Sequence, residues 1–266
     1  MSMAKKIDVP EAITFEEFEK QAVAILEEHK SLLKQKRDIT PVLFRGQGKA
    51  SDKLETTLER YSAKQYSPKQ YWRAMQAVVP ALETCIGKPW NFHEKYTHDD
   101  NALQAPQEYE FMVHLRHHGF PSPLLDWTRS FYIAAFFAFQ SAQTDEEPNV
   151  AIYSFDERPN NIKGGCSDEA TIVSCGPYVK THKRHFLQQS EYTYCKKQVD
   201  GKYVYCSHEE AFARKDPKQD ILDKFIIPKT ERPKLLEKLN MMNINAYSLF
   251  GSEESLLETL AYQEIK

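Results

Sequence analysis

The nine residues from Phe131 to Phe139, FYIAAFFAF, constrain the fold more than any other segment of the chain. A stretch that is apolar at almost every position predicts a helix that is buried on all sides. Nine residues are far fewer than the roughly 20 that a membrane-spanning helix needs. The segment therefore has to be buried by other elements of the same chain, and the sequence predicts a globular core built around it.

The residues directly before this run carry polar chemistry. They read RHHGFPSPLLDWTRS over positions 116–130 and include Asp126, Trp127 and Thr128. Asp126 or Thr128 is a candidate cap for the buried helix, which is the commonest role of such residues at this place. A helix N-terminus also offers free N–H groups and a positive dipole end to an anion, and Trp127 can stack on a flat ring. The residues alone leave the cap and the pocket open.

Composition excludes several classes of protein. The 266 residues are 41% hydrophobic and 27% charged, as in ordinary globular proteins. A net charge of −3 does not favour a nucleic-acid or anionic-membrane partner. The five cysteines show no paired CxxC spacing, and residues 1–15 contain no apolar stretch typical of a signal peptide. We therefore expect reduced thiols, a cytoplasmic location and no membrane partner.

Periodicity predicts both helices and strands. Thr14 and Glu17 form a capping-box pattern in front of a helical repeat. The predicted helices cover about 15–36, 108–118, 131–141 and 230–241. The predicted strands cover 41–46, 150–155, 171–174, 186–195, 203–206 and 225–228, and an Asp-Gly turn joins two of them in a hairpin.

The segment between residues 52 and 110 is mostly helical in composition, with expected breaks at Pro68, Pro80, Pro89 and Pro106. Weak periodicity over 86–108 predicts a long loop there. We interpret the chain as a single domain over 1–266 with a helical insertion at about 52–110. The predicted fold class is α+β, with N-terminal helices followed by a strand-rich core.

Arg45 is the first candidate binding residue. It follows an apolar strand segment and precedes Gly46, so it lies where a strand edge opens. A guanidinium at such a place can hold a phosphate or carboxylate through two hydrogen bonds. A structural ion pair is the alternative. The surrounding RGQGKAS lacks the third glycine of a dinucleotide fingerprint and the pattern of a P-loop.

Three histidines suggest a second kind of site. His114, His117 and His118 stand at helical offsets of three and four, and Asp126 is a carboxylate that can join them around a metal ion. There is no HExxH motif, and Gly119 ends the helix at once. We expect hydrogen bonding of the following turn instead, and no metal site.

Three motifs in order resemble the FRG domain, a bacterial family with a Phe-Arg-Gly motif. They are LFRGQ at 43–47, HHGFPSPLLDWTRSFYIAAFFAF at 117–139 and INAYSLFGSEESL at 244–256. Residues 184–193, RHFLQQSEYT, also resemble the family's Arg and Gln-rich strand. The resemblance spans about 12–258. The chain departs from the usual pattern at Arg116, at Ser122-Pro123 and at 251–253.

The order of parts is also similar, more weakly, to ADP-ribosyltransferases, which break the bond between nicotinamide and ribose in NAD. In those enzymes an Arg-Gly strand, a Ser/Thr strand that runs into an Ala-x-x-Phe helix, and a Gln-x-Glu strand follow one another. Here they correspond to 44–46, 125–139 and 189–191. The resemblance implies a core with a split sheet.

This second resemblance implies a role for each candidate residue. Arg45 would hold the pyrophosphate or the adenosine ribose, and the Gly46 backbone would meet the nicotinamide amide. Glu191 would stabilise the positive ribose, as a carboxylate does in glycoside cleavage, with Gln189 on the same strand face. Trp127 would form a wall for the nicotinamide ring, and Thr128 would orient the ribose. His118 or Asp126 would support these residues.

Three functions follow as alternatives. The first is an NAD-consuming transferase or glycohydrolase, whose bacterial setting implies a toxin or phage-defence effector with an antitoxin or defence-system partner. The sequence does not say whether the acceptor is a protein, a nucleic acid or water. Glu253 and Glu254 are alternatives to Glu191 as the functional carboxylate. The second is a non-catalytic ligand-binding or regulatory module. The third is a metal-dependent hydrolase that uses the histidines.

Overall fold

A computed structural model describes residues 11–34, 40–140, 147–158, 163–164, 168–180 and 183–265. Cys166, one of the five cysteines, and the first ten residues lie outside the described ranges. Cys85, Cys175, Cys195 and Cys206 are free thiols. In the part of the chain that the structure describes, no helix combines the length and the apolar character needed to cross a bilayer.

Seven strands form one antiparallel sheet in the described ranges. Its order is β4-β5-β2-β1-β3-β7, and β6 pairs with β5. The strands are β1 Leu43–Gln47, β2 Leu125–Thr128, β3 Asn149–Asp156, β4 Thr171–Ser174, β5 Ser190–Val199, β6 Lys202–Tyr205 and β7 Ile221–Pro228. Together with the helices this makes the fold α+β, as the sequence predicts.

The helices both precede and follow the strands. They are α1 Phe15–Leu33, α2 Thr57–Tyr61, α3 Pro68–Ile86, α4 Tyr109–His117, α5 Phe131–Gln140, α6 Lys183–Leu187, α7 His208–Phe212, α8 Arg232–Met241, α9 Ala246–Phe250 and α10 Glu253–Glu264. A 3-10 turn, Lys229–Glu231, leads into α8. The helix predicted at 230–241 is confirmed as α8, whereas α9 and α10 were not predicted.

The buried helix α5 packs directly on β1. The ring of Phe44 meets that of Phe131 edge-on, with 5.9 Å between their centroids. Two residues further along β1, a Cβ on Gly46 would lie 1.9 Å from the carbonyl oxygen of Ala134 and 2.7 Å from the backbone nitrogen of Ala138. Only glycine leaves room for a helix backbone this close to a strand. The apolar run is thus buried because position 46 has no side chain.

Helix α1 covers the outer side of this contact. Its capping box is present, because the Thr14 hydroxyl accepts a hydrogen bond from the Glu17 N–H at 3.2 Å and the Glu17 carboxylate accepts one from the Thr14 N–H at 2.8 Å. The ring of Phe18 packs against those of Phe131 and Phe225, with centroids 6.0 and 5.1 Å apart. A sequence-local cap therefore orients a helix whose stability depends on long-range packing.

A second core covers the same face of the sheet next to β5. There α3, α4 and the 87–108 segment bury aromatic side chains against the strand. The predicted loop at 86–108 contains neither helix nor strand beyond Ile86. Its Trp90 packs edge-on against Phe111 at 4.9 Å, and its Phe92 packs against Trp72 at 5.6 Å. This packing holds the loop on the protein.

Two sequence predictions of secondary structure are wrong. The predicted strand at 186–195 begins only at Ser190, because 183–187 form α6 and Gln189 adopts a left-handed φ of 48°. Pro80 does not end a helix but lies inside α3. Pro80 lies on the exposed side of the helix, so water can solvate the backbone carbonyl whose hydrogen bond the proline removes. The Asp200-Gly201 hairpin is confirmed, with both residues at positive φ.

We expect the substitution Gly46→Ala to lower the free energy of unfolding by about 3 kcal/mol, because its methyl group pushes α5 off β1. Urea unfolding followed by circular dichroism measures this. The matched control is Gly164→Ala, since no atom lies within 4 Å of the added methyl group and the backbone there needs no positive φ. A midpoint for Gly46→Ala equal to that of the control would contradict the close packing of α5.

Candidate functional site

A cavity of about 460 Å³ opens on the face of the sheet that carries α5, between the two helical cores. Its volume lies within the range of small-molecule sites, roughly 300–1,000 Å³. The residues that line it come from β1, β2, β5, four helices and the segments beside them. They are Phe44, Arg45, Gly46, Arg116, His117, Asp126, Trp127, Thr128, Phe137, Gln140, Arg184, Gln188, Ser190, Tyr192 and Phe250.

The cavity lies where β1 and β2 separate. The two strands share a single register pair, Phe44 with Thr128. A continuing antiparallel ladder would pair Arg45 with Trp127 and then Gly46 with Asp126. Instead, the Nη1 of Arg45 donates a hydrogen bond of 2.8 Å to the carbonyl oxygen of Asp126. A guanidinium thus replaces the backbone ladder, and the gap between the strands becomes the floor of the cavity.

Arg45 keeps unused hydrogen-bonding capacity. Its Nε is buried and has no hydrogen-bond partner within the described residues. Burial lowers the pKa of Arg45 to about 10, against the influence of Asp126, which raises it, so the side chain stays charged at neutral pH. A buried cation with a spare donor favours an anionic ligand.

Asp126 is held by Arg116. The Nε and Nη2 of Arg116 donate to the two carboxylate oxygens, and its Nη1 donates to the hydroxyl of Thr57 at 2.9 Å. Burial alone would raise the pKa of Asp126, but Arg116, and to a lesser extent Arg45, hold it below its ordinary value. The carboxylate is therefore ionised at neutral pH.

Tyr192 contributes a hydroxyl to the cavity wall. It shares a hydrogen bond of 2.8 Å with the Nε2 of His117 and a longer one of 3.4 Å with the Nδ1 of His185. The His185 ring stacks on the Tyr192 ring, with centroids 5.7 Å apart. Burial lowers the pKa of His185 and raises that of Tyr192, which favours the neutral form of both.

The opposite wall is fixed from the C-terminal part of the chain. The Thr128 hydroxyl donates to the carbonyl of Gln188 at 2.8 Å, and the side-chain amide of Gln188 donates to the carbonyl of Leu249 at 3.2 Å. The guanidinium of Arg184 lies over the ring of Phe250, 5.4 Å from its centroid. Helices α6 and α9 thereby join the site. Sequence reasoning missed Gln188, although it stands beside the Gln189 that it selected.

Thr128 and Trp127 face different sides of the sheet. Thr128 lies on the cavity side, whereas the indole of Trp127 packs on Phe155 at 5.2 Å and is only 3% exposed. Its Nε1 donates to the hydroxyl of Thr193 at 2.9 Å. The expected stacking wall for a ring is thus embedded in the core. The cap of α5 is Ser130, whose hydroxyl accepts from the N–H of Ile133 at 3.3 Å, and neither Asp126 nor Thr128 fills this role.

Glu191 lies opposite Trp127 in the register of β5 and β2, so its side chain also points away from the cavity. It is 3% exposed and pairs with Arg129, whose Nε donates at 2.7 Å. Burial raises the pKa of Glu191 despite this partner. Gln189 lies outside the strand and is exposed, so the expected shared strand face with Glu191 is wrong.

His118 points into a neighbouring apolar groove, together with Leu58 and Leu115, and not into the cavity with Arg45. The first histidine of the His-His pair, His117, lies in the cavity instead, because successive residues at the end of α4 face different directions. The rings of His114 and His118 lie 4.4 Å apart. Within the described residues no group of three or more His, Cys, Asp or Glu side chains is arranged to hold a metal ion.

Comparison with protein families finds a match around Arg45. The family model of the FRG domain matches residues 40–147. This part of the chain matches the FRG domain family. No curated protein and no solved structure matches the chain significantly.

The three residues of the FRG motif have separate physical roles. Phe44 is fully buried under α5, Arg45 spans the gap to β2, and Gly46 admits the helix backbone. The matched range also contains β2 and α5. The rest of the cavity wall lies beyond residue 147, in α6, β5 and α9 and at Gln188, whose amide joins it to α9.

Hydrogen bonds link the buried side chains of Trp127, Thr193 and His208 on the other face of the sheet, and they give a pH prediction. The Thr193 hydroxyl, which accepts from Trp127, also bonds the Nε2 of His208 at 2.9 Å, and burial first, then Arg45, lowers the pKa of His208 from 6.5 to about 3. Unfolded His208 binds a proton below its ordinary pKa, whereas folded His208 does not until about pH 3. The free energy of unfolding should fall as pH drops from 6.5 to 3, by up to about 1.4 kcal/mol per unit.

The substitution His208→Gln isolates this contribution, since glutamine does not titrate and can still accept the hydrogen bond of Thr193. Urea unfolding of both proteins between pH 3 and 7 measures it. We expect the stability advantage of the native chain over the variant to shrink as the pH falls. Parallel pH profiles for the two proteins would contradict a neutral, buried His208.

Proposed function

We propose that this protein is an NAD-consuming enzyme of the ADP-ribosyltransferase type, acting as a transferase or as an NAD glycohydrolase. The spatial arrangement of the three segments that resemble those enzymes supports this. The Arg-Gly strand β1, the strand β2 that leads into α5, and the strand β5 that follows Gln189 lie side by side in the sheet. Segments more than 140 residues apart in sequence thus converge on one cavity.

The observation that carries the proposal is the cationic excess of the cavity around Arg45. Among its described lining residues are three guanidinium groups and one carboxylate, which leaves a net charge of about two positive units. Arg116 forms an ion pair with Asp126, whereas Arg45 donates to a carbonyl oxygen, so Arg45 contributes positive charge to the cavity. A guanidinium suits the negative charge of a pyrophosphate.

The proposed reaction assigns tasks to the other residues of the cavity. The backbone of Gly46 and the Thr128 and Ser190 positions lie on the cavity side of the sheet, where amide and hydroxyl groups can meet the nicotinamide amide and the ribose. Tyr192 adds a hydroxyl beside His117. These groups orient the substrate. Cleavage also needs a carboxylate near the ribose, because the sugar becomes positively charged as the bond breaks.

A non-catalytic module that binds the same ligand is the second candidate. The observation that favours it is the ion pair of Glu191 with Arg129, which takes the expected catalytic carboxylate out of the cavity. Incubation with NAD separates the two functions. An enzyme releases nicotinamide and depletes NAD, whereas a binding module raises its melting temperature with NAD and leaves NAD intact.

The acceptor of ADP-ribose and an antitoxin or defence-system partner are further parts of the proposal. Incubation with biotin-labelled NAD and a cell lysate reports the acceptor. Label on protein or on nucleic acid identifies a transferase and the class of its substrate. Free ADP-ribose without labelled macromolecules identifies a glycohydrolase.

We expect Arg45→Ala to weaken NAD binding by at least about tenfold, since a charge-assisted hydrogen bond contributes roughly 1.5–3 kcal/mol. Isothermal titration calorimetry measures the Kd. Arg45→Lys should restore only part of the affinity, because an ammonium group cannot form the paired hydrogen bonds of a guanidinium.

The matched control is Arg73→Ala, which removes an exposed arginine from α3. It should bind NAD as the native chain does. Equal affinities for Arg45→Ala and Arg73→Ala would show that Arg45 only bridges β1 and β2.

A further inference from the structure

We propose that Asp126, and not Glu191, is the catalytic carboxylate of the cavity. This assignment rests on the proposed NAD-cleaving function and adds the residue that stabilises the positively charged ribose. It follows from which carboxylates the fold presents to the ligand and how each is held.

Position separates the candidates. Asp126 lines the cavity, and its side chain is 43% exposed. Glu191, Glu253 and Glu254 do not line the cavity, and the last two begin α10 on the protein surface. A carboxylate has to lie within a few ångströms of a developing cation to stabilise it strongly, because the interaction falls with distance. Asp126 alone among these four meets that condition.

The register of the sheet explains this difference. Asp126 is paired with Tyr192 in the ladder of β2 and β5, and both residues point to the cavity side. Glu191 is the next residue along β5, so strand alternation turns it to the other face. Moving Glu191 into the cavity would require a shift of one residue in β5, which would also remove Tyr192 from the cavity.

The ion pair with Arg116 fixes the orientation of Asp126, because both carboxylate oxygens accept hydrogen bonds from the guanidinium. The side chain of Arg116 is only 9% exposed and is anchored on Thr57, whereas the side chain of Asp126 is 43% exposed. Of the two partners, Asp126 is therefore the one that is more accessible to a ligand. A carboxylate that is fixed before the substrate binds needs no reorganisation during the reaction.

The step is a heterolytic cleavage of NAD. The bond between ribose C1′ and the nicotinamide nitrogen breaks, and both electrons leave with nicotinamide, which departs as a neutral molecule. C1′ becomes cationic and is stabilised by the negative charge of Asp126. The oxygen of water or of an acceptor hydroxyl then bonds to C1′, and its proton passes to solvent.

The test compares Asp126→Asn with Glu191→Gln in the full chain. Asparagine keeps the shape of the side chain but removes its charge. We expect Asp126→Asn to lower kcat for nicotinamide release by at least about 100-fold while the Kd for NAD changes by less than about threefold. Glu191→Gln, the matched control, should keep kcat within about threefold of the native value.

The double variant Arg116→Gln with Asp126→Asn guards against misfolding, because it removes both charges of the buried pair and leaves two amides that can hydrogen-bond. It should melt cooperatively, bind NAD and show the same loss of turnover as Asp126→Asn.

The outcomes separate the two proposals. Native turnover that survives Asp126→Asn, or that is lost equally in Glu191→Gln, overturns the role of Asp126 and leaves the enzyme proposal standing. A native chain that binds NAD without releasing nicotinamide overturns the enzyme proposal and the assignment with it.

Discussion

The hydrogen bond from the Arg45 guanidinium to the carbonyl of Asp126 is the interaction on which the cavity depends. A sheet whose central strands stayed paired would have no opening there, and its amide groups would be used up by the ladder. Because β1 and β2 separate, the carbonyl of Asp126 has no partner in the ladder, and Arg45 donates a hydrogen bond to it. The same side chain lines the cavity that the separation creates. One side chain therefore both bridges the separated strands and adds positive charge to the cavity.

This arrangement places several charges where water is scarce, and the fold compensates each in a different way. Arg116 and Asp126 form a two-pronged pair, Glu191 pairs with Arg129, and Arg45 has a carbonyl but no carboxylate. The least compensated group is thus the one that lines the cavity from between the strands. Buried ionisable groups with incomplete partners are enriched at functional sites, because a structural role alone is better served by a complete pair.

The sequence predicted those parts of the molecule that depend on neighbours in the chain. The Thr14 capping box, the buried helix after Ser130 and the Asp200-Gly201 hairpin are local signals, and the structure contains all three. Arg45 and Asp126 were selected because strand ends and helix starts are visible in the residue pattern. The placement of Glu191 and Trp127 was not visible, since it depends on which face of each strand turns towards the cavity, and the register of β2 and β5 decides that.

The remaining cavity residues lay beyond sequence reasoning for a related reason. The side-chain amide of Gln188 donates a hydrogen bond to the carbonyl of Leu249, and its backbone carbonyl accepts one from the Thr128 hydroxyl. Its role in the site therefore exists only when three distant segments meet. No periodicity records such a contact. The same holds for His117. Its neighbour His118 has the same side chain and the same sequence surroundings, yet only His117 reaches Tyr192 in the cavity, because the two residues face different directions at the end of α4. Motifs identify the strand that begins a site, whereas the packing of later segments against it decides which side chains reach the ligand.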